Sequence, residues 1–425
     1  MSKDSSTSEG LSLLAGVRVL SLEQFIAGPY CTSVLADAGA EVIKVERPGS
    51  GDPRRWYDPK VGPEDDYISG GFASYNRGKK SVELDLSDDS DRTAFDELLG
   101  TADVLVCNLR PGSLARQGFA PTKLRERFPR LVICEITGFG SSGGVYAQWP
   151  AFDSVIQGMS GMSSLIGDGD GPPGLAPMGT MDLLTGTYAA MGILTALVGR
   201  ASSGQGSYVD AAMYDIGAAI IERPLTLHEF TGDVPTRGID RFSPVGAFRA
   251  GDGGWVSIVI PTDEMWRRCC AALGKPELEH DPELDTVLKR ADRMRERVIP
   301  EFEAWAAGKT KTDAAAALRA AGQPAGLVQS VDEVRACLQL AHRGLFTPIT
   351  DSTNGNSTNR ATRPDGTTLA LPRLPLLFDG VGAAPGPIPR LGEHNNELPT
   401  HTSDTNIPPD TTPAAHAVEQ AQVTR

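Results

Sequence analysis

Through the first 140 positions, apolar residues gather in short runs separated by longer amphipathic stretches. Residues 17–22, 41–45, 81–86, 104–107 and 131–136 read as strands. The runs at 104–107 and 131–136 are almost continuously apolar, as in a parallel strand covered on both faces. Helical periods follow at 28–38, opened by Gly28-Pro29, and at 90–99, where Phe95, Leu98 and Leu99 share one side. Strand alternating with helix predicts a doubly wound, Rossmann-like α/β domain. Ligands then belong beyond the carboxyl ends of the strands, where Arg47, Asn108-Leu109-Arg110 and Thr137-Gly138-Phe139-Gly140 fall.

The most apolar helix pattern opens at Met181-Asp182-Leu183-Leu184 and runs to Val198, fed by a Gly- and Pro-rich segment at 167–179. Past residue 204 the pattern changes. Residues 208–221 read as a further strand and helix, and 222–241 as a connection. A hairpin over 245–258 turns at Asp252-Gly253-Gly254, and helices near 264–273, 298–307 and 312–321 fill out a smaller α+β domain. From Val331 the chain reads as a connector with irregular strands. The expected layout is a disordered leader over 1–14 and a large α/β domain over 15–221. A linker and small domain over 222–330 follow, then a return segment over 331–396 that completes the large domain. The tail over 397–425, rich in Thr, Pro, Asn and Asp, is expected to be disordered.

Composition narrows the functional classes. Hydrophobic residues make up 40% and charged residues 22%, which is the balance of a folded globular chain, and 425 residues exceed one ordinary core. A formal net charge of -14 argues against nucleic acid as a partner, because phosphate binding needs a basic surface. The polar start Met1-Ser2-Lys3-Asp4-Ser5 carries no secretory apolar core, and Thr185, Gly186 and Thr187 make 183–198 a core helix rather than a membrane span. A cytoplasmic protein with no membrane partner is expected. The six cysteines show no C-x-x-C spacing, so neither a metal site nor a redox pair is expected. None of the six histidines precedes His228, so chemistry in the N-terminal half must run without imidazole.

Asp182 is the leading candidate for that chemistry. A carboxylate at a helix N-terminus meets the positive end of the dipole and unpaired backbone N–H groups, which hold it ionised as a nucleophile. The same residue type at the same place is also an ordinary N-cap. Gly138-Phe139-Gly140-Ser141-Ser142-Gly143 matches G-x-G-x-x-G after a strand, but a loop follows and no ribose-binding acid is placed. Those glycines read instead as letting backbone come close to a ligand or a facing subunit. Lys44, Arg47, Arg77, Lys79, Lys80 and Arg110 lie mostly at strand ends or in turns. Together they form either a solvated surface or a pocket for a phosphorylated ligand.

The stretch from Leu20 through Glu23-Gln24-Phe25-Ile26-Ala27-Gly28-Pro29, and Gly39 through Glu46-Arg47-Pro48-Gly49, resemble the class III CoA-transferases. So do Asn76-Arg77-Gly78-Lys79-Lys80, Asn108-Leu109-Arg110-Pro111-Gly112, Met181-Asp182-Leu183 and Leu391-Gly392-Glu393-His394. The resemblance implies transfer of coenzyme A from an acyl-CoA to a free carboxylic acid, with Asp182 as nucleophile. Acyl-aspartyl anhydride and aspartyl-CoA thioester intermediates would form on it. Arg47, Lys79 and Arg110 match positions that meet CoA, which is a substrate; no permanently bound cofactor is implied. The resemblance also implies an interlocked, ring-like homodimer. Family members that racemise 2-methylacyl-CoA, with Asp182 as acid/base, are the alternative; Phe152 stands where their histidine would be. Ile26 replaces the Gln of formyl-CoA/oxalate members, which points away from oxalate.

Overall fold

The computed structural model describes residues 10–64, 66–167, 169, 171–238, 240, 243–351 and 359–398. The expected leader up to residue 9 and the tail beyond 398 lie outside the described residues. The rest of the leader is built into the fold: Leu14 packs against the core, and its N–H donates to Ala38 O at 3.0 Å.

Six parallel strands form the central sheet: β1 (Arg18–Leu22), β2 (Glu41–Glu46), β3 (Lys80–Glu83), β4 (Val104–Cys107), β5 (Val132–Thr137) and β6 (Tyr208–Ala212). Their order is β3-β2-β1-β4-β5-β6, which reverses between β1 and β4. In such sheets the crevice beyond the carboxyl ends at the reversal point is where ligands bind. The strand predicted over 81–86 pairs only to Glu83, because β2 turns away after Glu46 and its last carbonyl takes the Leu84 N–H.

Helix α1 (Ala27–Asp37) follows β1, α2 (Gly70–Asn76) precedes β3, and α3 (Asp89–Thr101) follows it. Between β5 and β6 come α4 (Asp153–Met159) and the 24-residue α5 (Thr180–Ser203). Adjacent residues of a strand face opposite sides, and two cores result. Leu20, Ile43 and Leu105 pack beneath Phe95, Leu98 and Leu99 of α3. Val19, Val42 and Val106 pack beneath Cys31 and Leu35 of α1 and Ala189, Ala190 and Ile193 of α5. By length and composition α5 could cross a membrane, but 39% of its most apolar window is buried inside the fold.

The expected strand and helix after residue 204 are β6 and α6 (Met213–Ile220). The expected connection at 222–241 is a helix in its first half, α7 (Glu222–Thr231), stopped by Gly232 at φ 76°. Pro224 falls in its first turn, where a missing N–H costs nothing.

The predicted hairpin, β7 (Val245–Arg249) and β8 (Trp255–Val259), is joined by β9 (Ala325–Leu327) in an antiparallel sheet. Helices α8 (Asp263–Leu273), α9 (Ile299–Ala306) and α10 (Lys311–Ala320) pack on it around Phe248, Trp266 and Phe302. The segment after Val331 returns to the parallel sheet's side of the molecule. There Ile349 and Ile388 pack on Phe72 of α2, and His394 exchanges two hydrogen bonds with Ser81 of β3.

Candidate active site

Asp182 is the third residue of α5 and does not cap it. Gly179 holds the N-cap position at φ 91°, and no side chain caps the helix from there. The cap comes from another helix: Asp153, at the start of α4, accepts the Met181 N–H through Oδ1 at 2.6 Å. Its second oxygen takes Gln157 Nε2 at 2.7 Å, and Gln157 Oε1 accepts the Ala176 N–H at 2.8 Å. One buried carboxylate thereby fastens the glycine-rich approach segment to the first turn of α5.

With that role filled, the Asp182 side chain is half-buried and accepts no hydrogen bond among the described residues. Its own N–H is likewise without a partner among them. Burial pushes its carboxyl up to about 7, the nearby Asp153 charge adds to the shift, and Arg54 opposes it. Burial and a like charge thus work against the ionised state that the helix N-terminus favours. Desolvation is the larger cause, and the group sits near neutral pH.

Close helix contact sets what faces this carboxylate. Gly186, one turn along the same side of α5, lies against α1; a Cβ there would sit 2.7 Å from Ala27 O and 3.0 Å from Tyr30 Cδ1. The Tyr30 ring meets Tyr75 of α2 edge-on at 6.3 Å. Arg54 lies over both Tyr57 and Tyr75, each ring centroid 5.4 Å from the guanidinium carbon. Arg54, Tyr75, Tyr30 and Asp153 are the neighbours that sequence reasoning did not assign. Arg54 lies in the turn after Asp52, where no periodicity marks a role; its nearness to Trp56 and Tyr57 was the available signal.

The loop from Glu23 to Ile26 connects this spot with the crevice at the strand ends. Asn108, just past β4, grips it from both sides: Oδ1 accepts the Gln24 N–H at 2.8 Å and Nδ2 donates to Gln24 O at 2.7 Å. Phe25 is held at φ 67°, a left-handed backbone unusual for a bulky residue. Its N–H points to Asp52 Oδ1 at 3.3 Å, and its ring meets Phe152 edge-on at 6.0 Å.

Beneath the loop lies a fully buried charge network. Lys79 Nζ donates to Glu23 Oε1, Pro29 O and Asn76 Oδ1 at 2.7, 2.9 and 3.0 Å. Lys44 Nζ donates to Asp52 Oδ2 at 2.9 Å and Glu23 O at 3.0 Å. Burial draws the Lys79 ammonium down to about 8 against the pull of Glu23. Burial raises the Glu23 carboxyl too, but Lys79 and Lys44 outweigh it, and it falls below the usual carboxylate range. The structure therefore buries Lys79 against Glu23, Pro29 and Asn76, with all three of its protons engaged. A basic residue at the start of β3 reads as exposed only while its partner, 56 positions earlier, is unknown.

The crevice has a volume of ≈ 500 Å³ and lies at the carboxyl ends of β1 through β4, between Arg47, Asp85, Arg92, Leu109 and Arg116. Arg47 lines its rim, and Arg110 lies exposed one residue beyond Leu109; neither guanidinium forms an ion pair among the described residues. Arg47 and Arg110 are thus brought to one region, while Asp182 lies across the loop at residues 23–26. The glycine-rich match at 138–143 is no phosphate cradle, since the Ser141 and Ser142 N–H groups point at the Asp210 carboxylate at 3.1 Å. Its first glycine serves close packing: a Cβ on Gly138 would fall 2.2 Å from Ala151 Cβ, in the segment that delivers Asp153. Among the described residues no group of three or more His, Cys, Asp and Glu side chains is arranged to hold a metal ion.

A family model described as CoA-transferase family III matches residues 14–395. The chain belongs to that family. This class III CoA-transferase is 35% identical over 396 residues to the succinyl-CoA:mesaconate CoA-transferase of Haloarcula hispanica, covering 91% of this chain and 96% of the relative. It is 31% identical over 395 residues to the succinate–glutarate CoA-transferase of Agrobacterium fabrum, covering 91% and 94%. Among solved structures, a CAIB/BAIF family protein from Brucella suis superposes with a TM-score of 0.77 at 29% identity. That match covers 92% of the CoA-transferase and 98% of the other chain.

Proposed function

We propose that this enzyme moves coenzyme A between small dicarboxylic acids, with Asp182 as the covalent nucleophile. An Asp182 carboxylate oxygen bonds to the thioester carbonyl carbon and the C–S bond breaks, giving an acyl-aspartyl anhydride and CoA thiolate. The thiolate then attacks the aspartyl carbonyl and releases the donor acid, leaving an aspartyl-CoA thioester. An acceptor carboxylate repeats the sequence in reverse, so no net proton or electron is consumed. Covalent catalysis of this kind divides one difficult exchange into easier steps.

The observation that carries the reading is the state of Asp182: half-buried, without a hydrogen-bond partner among the described residues, and with its carboxyl near 7. A structural carboxylate in that position would be paired. Here the Asp153 carboxylate performs the structural task. The open Asp182 N–H can serve the developing oxyanion. CoA is read as lying with its phosphates towards Arg47 and Arg110 on the crevice rim and its thioester reaching past the 23–26 loop. Lys79 acts from below, through the loop it supports. The relatives' names, which pair succinyl-CoA or succinate with mesaconate or glutarate, supply the substrate class.

In the same reading, residues 15–221 and 331–396 form the CoA-binding body, 222–330 the linker and small domain, and two chains interlock as a cytoplasmic homodimer. Exposed Tyr188, Met191 and Val198 on the open side of α5 suit a surface that a second chain covers. Racemisation finds no support: Phe152 is not a proton carrier, and both Asp153 oxygens are engaged within the protein.

Incubation with succinyl-CoA followed by mass spectrometry of the Asp182 peptide tests the proposal. A CoA adduct cleaved by hydroxylamine is expected, and Asp182→Asn should lose both adduct and exchange. Turnover retained by Asp182→Asn refutes it.

A further inference from the structure

Two arginines stand side by side after Asp52, and their situations differ. Arg55 pairs with Glu46, Nη2 to Oε1 at 2.6 Å, and lies 3.7 Å from the Phe72 ring centre. Arg54 is anchored at one edge only. Its Nε donates to Gly71 O at 3.1 Å, and its guanidinium carbon lies 5.4 Å from the Tyr57 and Tyr75 ring centroids. Its two terminal nitrogens have no hydrogen-bond partner among the described residues, and no carboxylate among them lies within ion-pair distance.

That is an unusual way to leave a partly buried guanidinium. Backbone and aromatic contacts fix its orientation, while four N–H donors in a rigid fork remain open. Such a fork matches a carboxylate in geometry and charge. The route from it to the nucleophile is short and continuous: Arg54 on Tyr75, Tyr75 against Tyr30, Tyr30 against Gly186, one turn from Asp182. Asp182 lies near enough to sense the Arg54 charge, yet the two make no ion pair. Both charged ends are thus left open to a small molecule that carries a carboxylate at its far end.

We propose that Arg54 binds the distal carboxylate of the dicarboxylic acyl group, holding the proximal carbonyl against Asp182 and selecting two-ended acids over one-ended ones. This rests on the reading of Asp182 as nucleophile and adds the residue that sets acceptor choice. Replacing the distal carboxylate by a methyl group leaves the fork unpaired, which a site built for an anion penalises heavily.

The test compares succinate with butyrate, acids of equal length that differ in the far carboxylate. Wild-type kcat/KM should favour succinate by ~10²-fold or more. Arg54→Gln should lower the succinate value by ~10²-fold more than the butyrate value, chiefly through KM, so that the preference collapses. Arg54→Lys, which keeps charge without the fork, should fall between, and covers the case in which the Gln variant does not fold. Equal losses on both acids in either variant would show that Arg54 only tunes Asp182, and would overturn the proposal. An unchanged preference would overturn it too. The wild-type CoA adduct formed from succinyl-CoA separates the two levels. If it is absent from Asp182, the nucleophile reading fails; if it is present while selectivity ignores residue 54, only the role of Arg54 fails.

Discussion

Asp153 Oδ1 accepts the Met181 N–H at 2.6 Å, so a buried carboxylate occupies the entrance of α5 beside Asp182. This juxtaposition joins structure to reactivity. Asp153 provides the cap that frees Asp182 from hydrogen bonding, and its charge raises the Asp182 carboxyl. A nucleophile near pKa 7 is more basic than an ordinary aspartate and still available at neutral pH.

A pH profile follows. The ionised form attacks, so kcat/KM for the acyl-CoA should rise with pH through about 7 and level off above it. Burial is the first cause of the shift and Asp153 the second. Asp153→Asn should therefore move the acid limb to lower pH without restoring an ordinary aspartate, since the burial remains. Pre-steady-state adduct formation across pH 5 to 9 would report it, and an unmoved limb would remove Asp153 from the account.

The same shift has a consequence for stability. The folded Asp182 titrates at about 7 against an ordinary value of 3.8, so between those pH values the folded state holds more protons than the unfolded chain. Stability from this group is fully present below 3.8, declines as pH rises, and is lost above about 7. Asp182→Asn carries no such titration. Its melting temperature relative to wild type should climb from pH 5 to pH 8 and then hold constant. A pH-independent difference would contradict the raised carboxyl.

What the sequence revealed and what it concealed divides along range of contact. Val104–Cys107 was legible residue for residue, because a strand buried on both faces must be apolar throughout. The glycine turn at 252–254 likewise announced its hairpin. Asp182 was legible as a helix-entry carboxylate. Its cap was not, because the capping oxygen comes from 28 positions earlier. Arg54 gave no periodic signal, being in a turn whose importance arises only when α1, α2 and α5 converge. The burial of Lys79 was hidden for the same reason, since its partner Glu23 lies 56 positions earlier.

Lys79 and Arg47 should therefore respond differently to removal. Lys79→Met strips Glu23 of its nearest cation inside the fold, and breaking a buried ion pair from one side costs roughly 3–5 kcal/mol. Arg47→Ala, at an exposed position, should change stability by no more than about 0.5 kcal/mol. It should instead raise the KM for acyl-CoA and flatten its dependence on salt, as loss of a phosphate contact does. Urea melts alongside KM measured at two ionic strengths distinguish the pair. A strong salt effect from Lys79→Met in a fully folded protein would return that residue to the phosphate site.

Two glycines of α5 make the sharpest contrast. At Gly186 a Cβ would sit 2.7 Å from Ala27 O and 3.1 Å from Cys31 N, both backbone atoms that cannot turn aside. Gly186→Ala must push α5 away from α1, at a cost of about 1–3 kcal/mol. Because this contact lies one turn from Asp182, kcat should fall as well. Gly199, farther along the same helix, has nothing within 4 Å of its Cβ position. There alanine only removes backbone freedom from the unfolded chain, and Gly199→Ala should stabilise by about 0.5–1 kcal/mol with activity intact. Thermal unfolding and steady-state kinetics on the two variants read both signs. If Gly186→Ala were also stabilising and fully active, α1 and α5 would not be in the close contact that sets Asp182 before Tyr30, Tyr75 and Arg54.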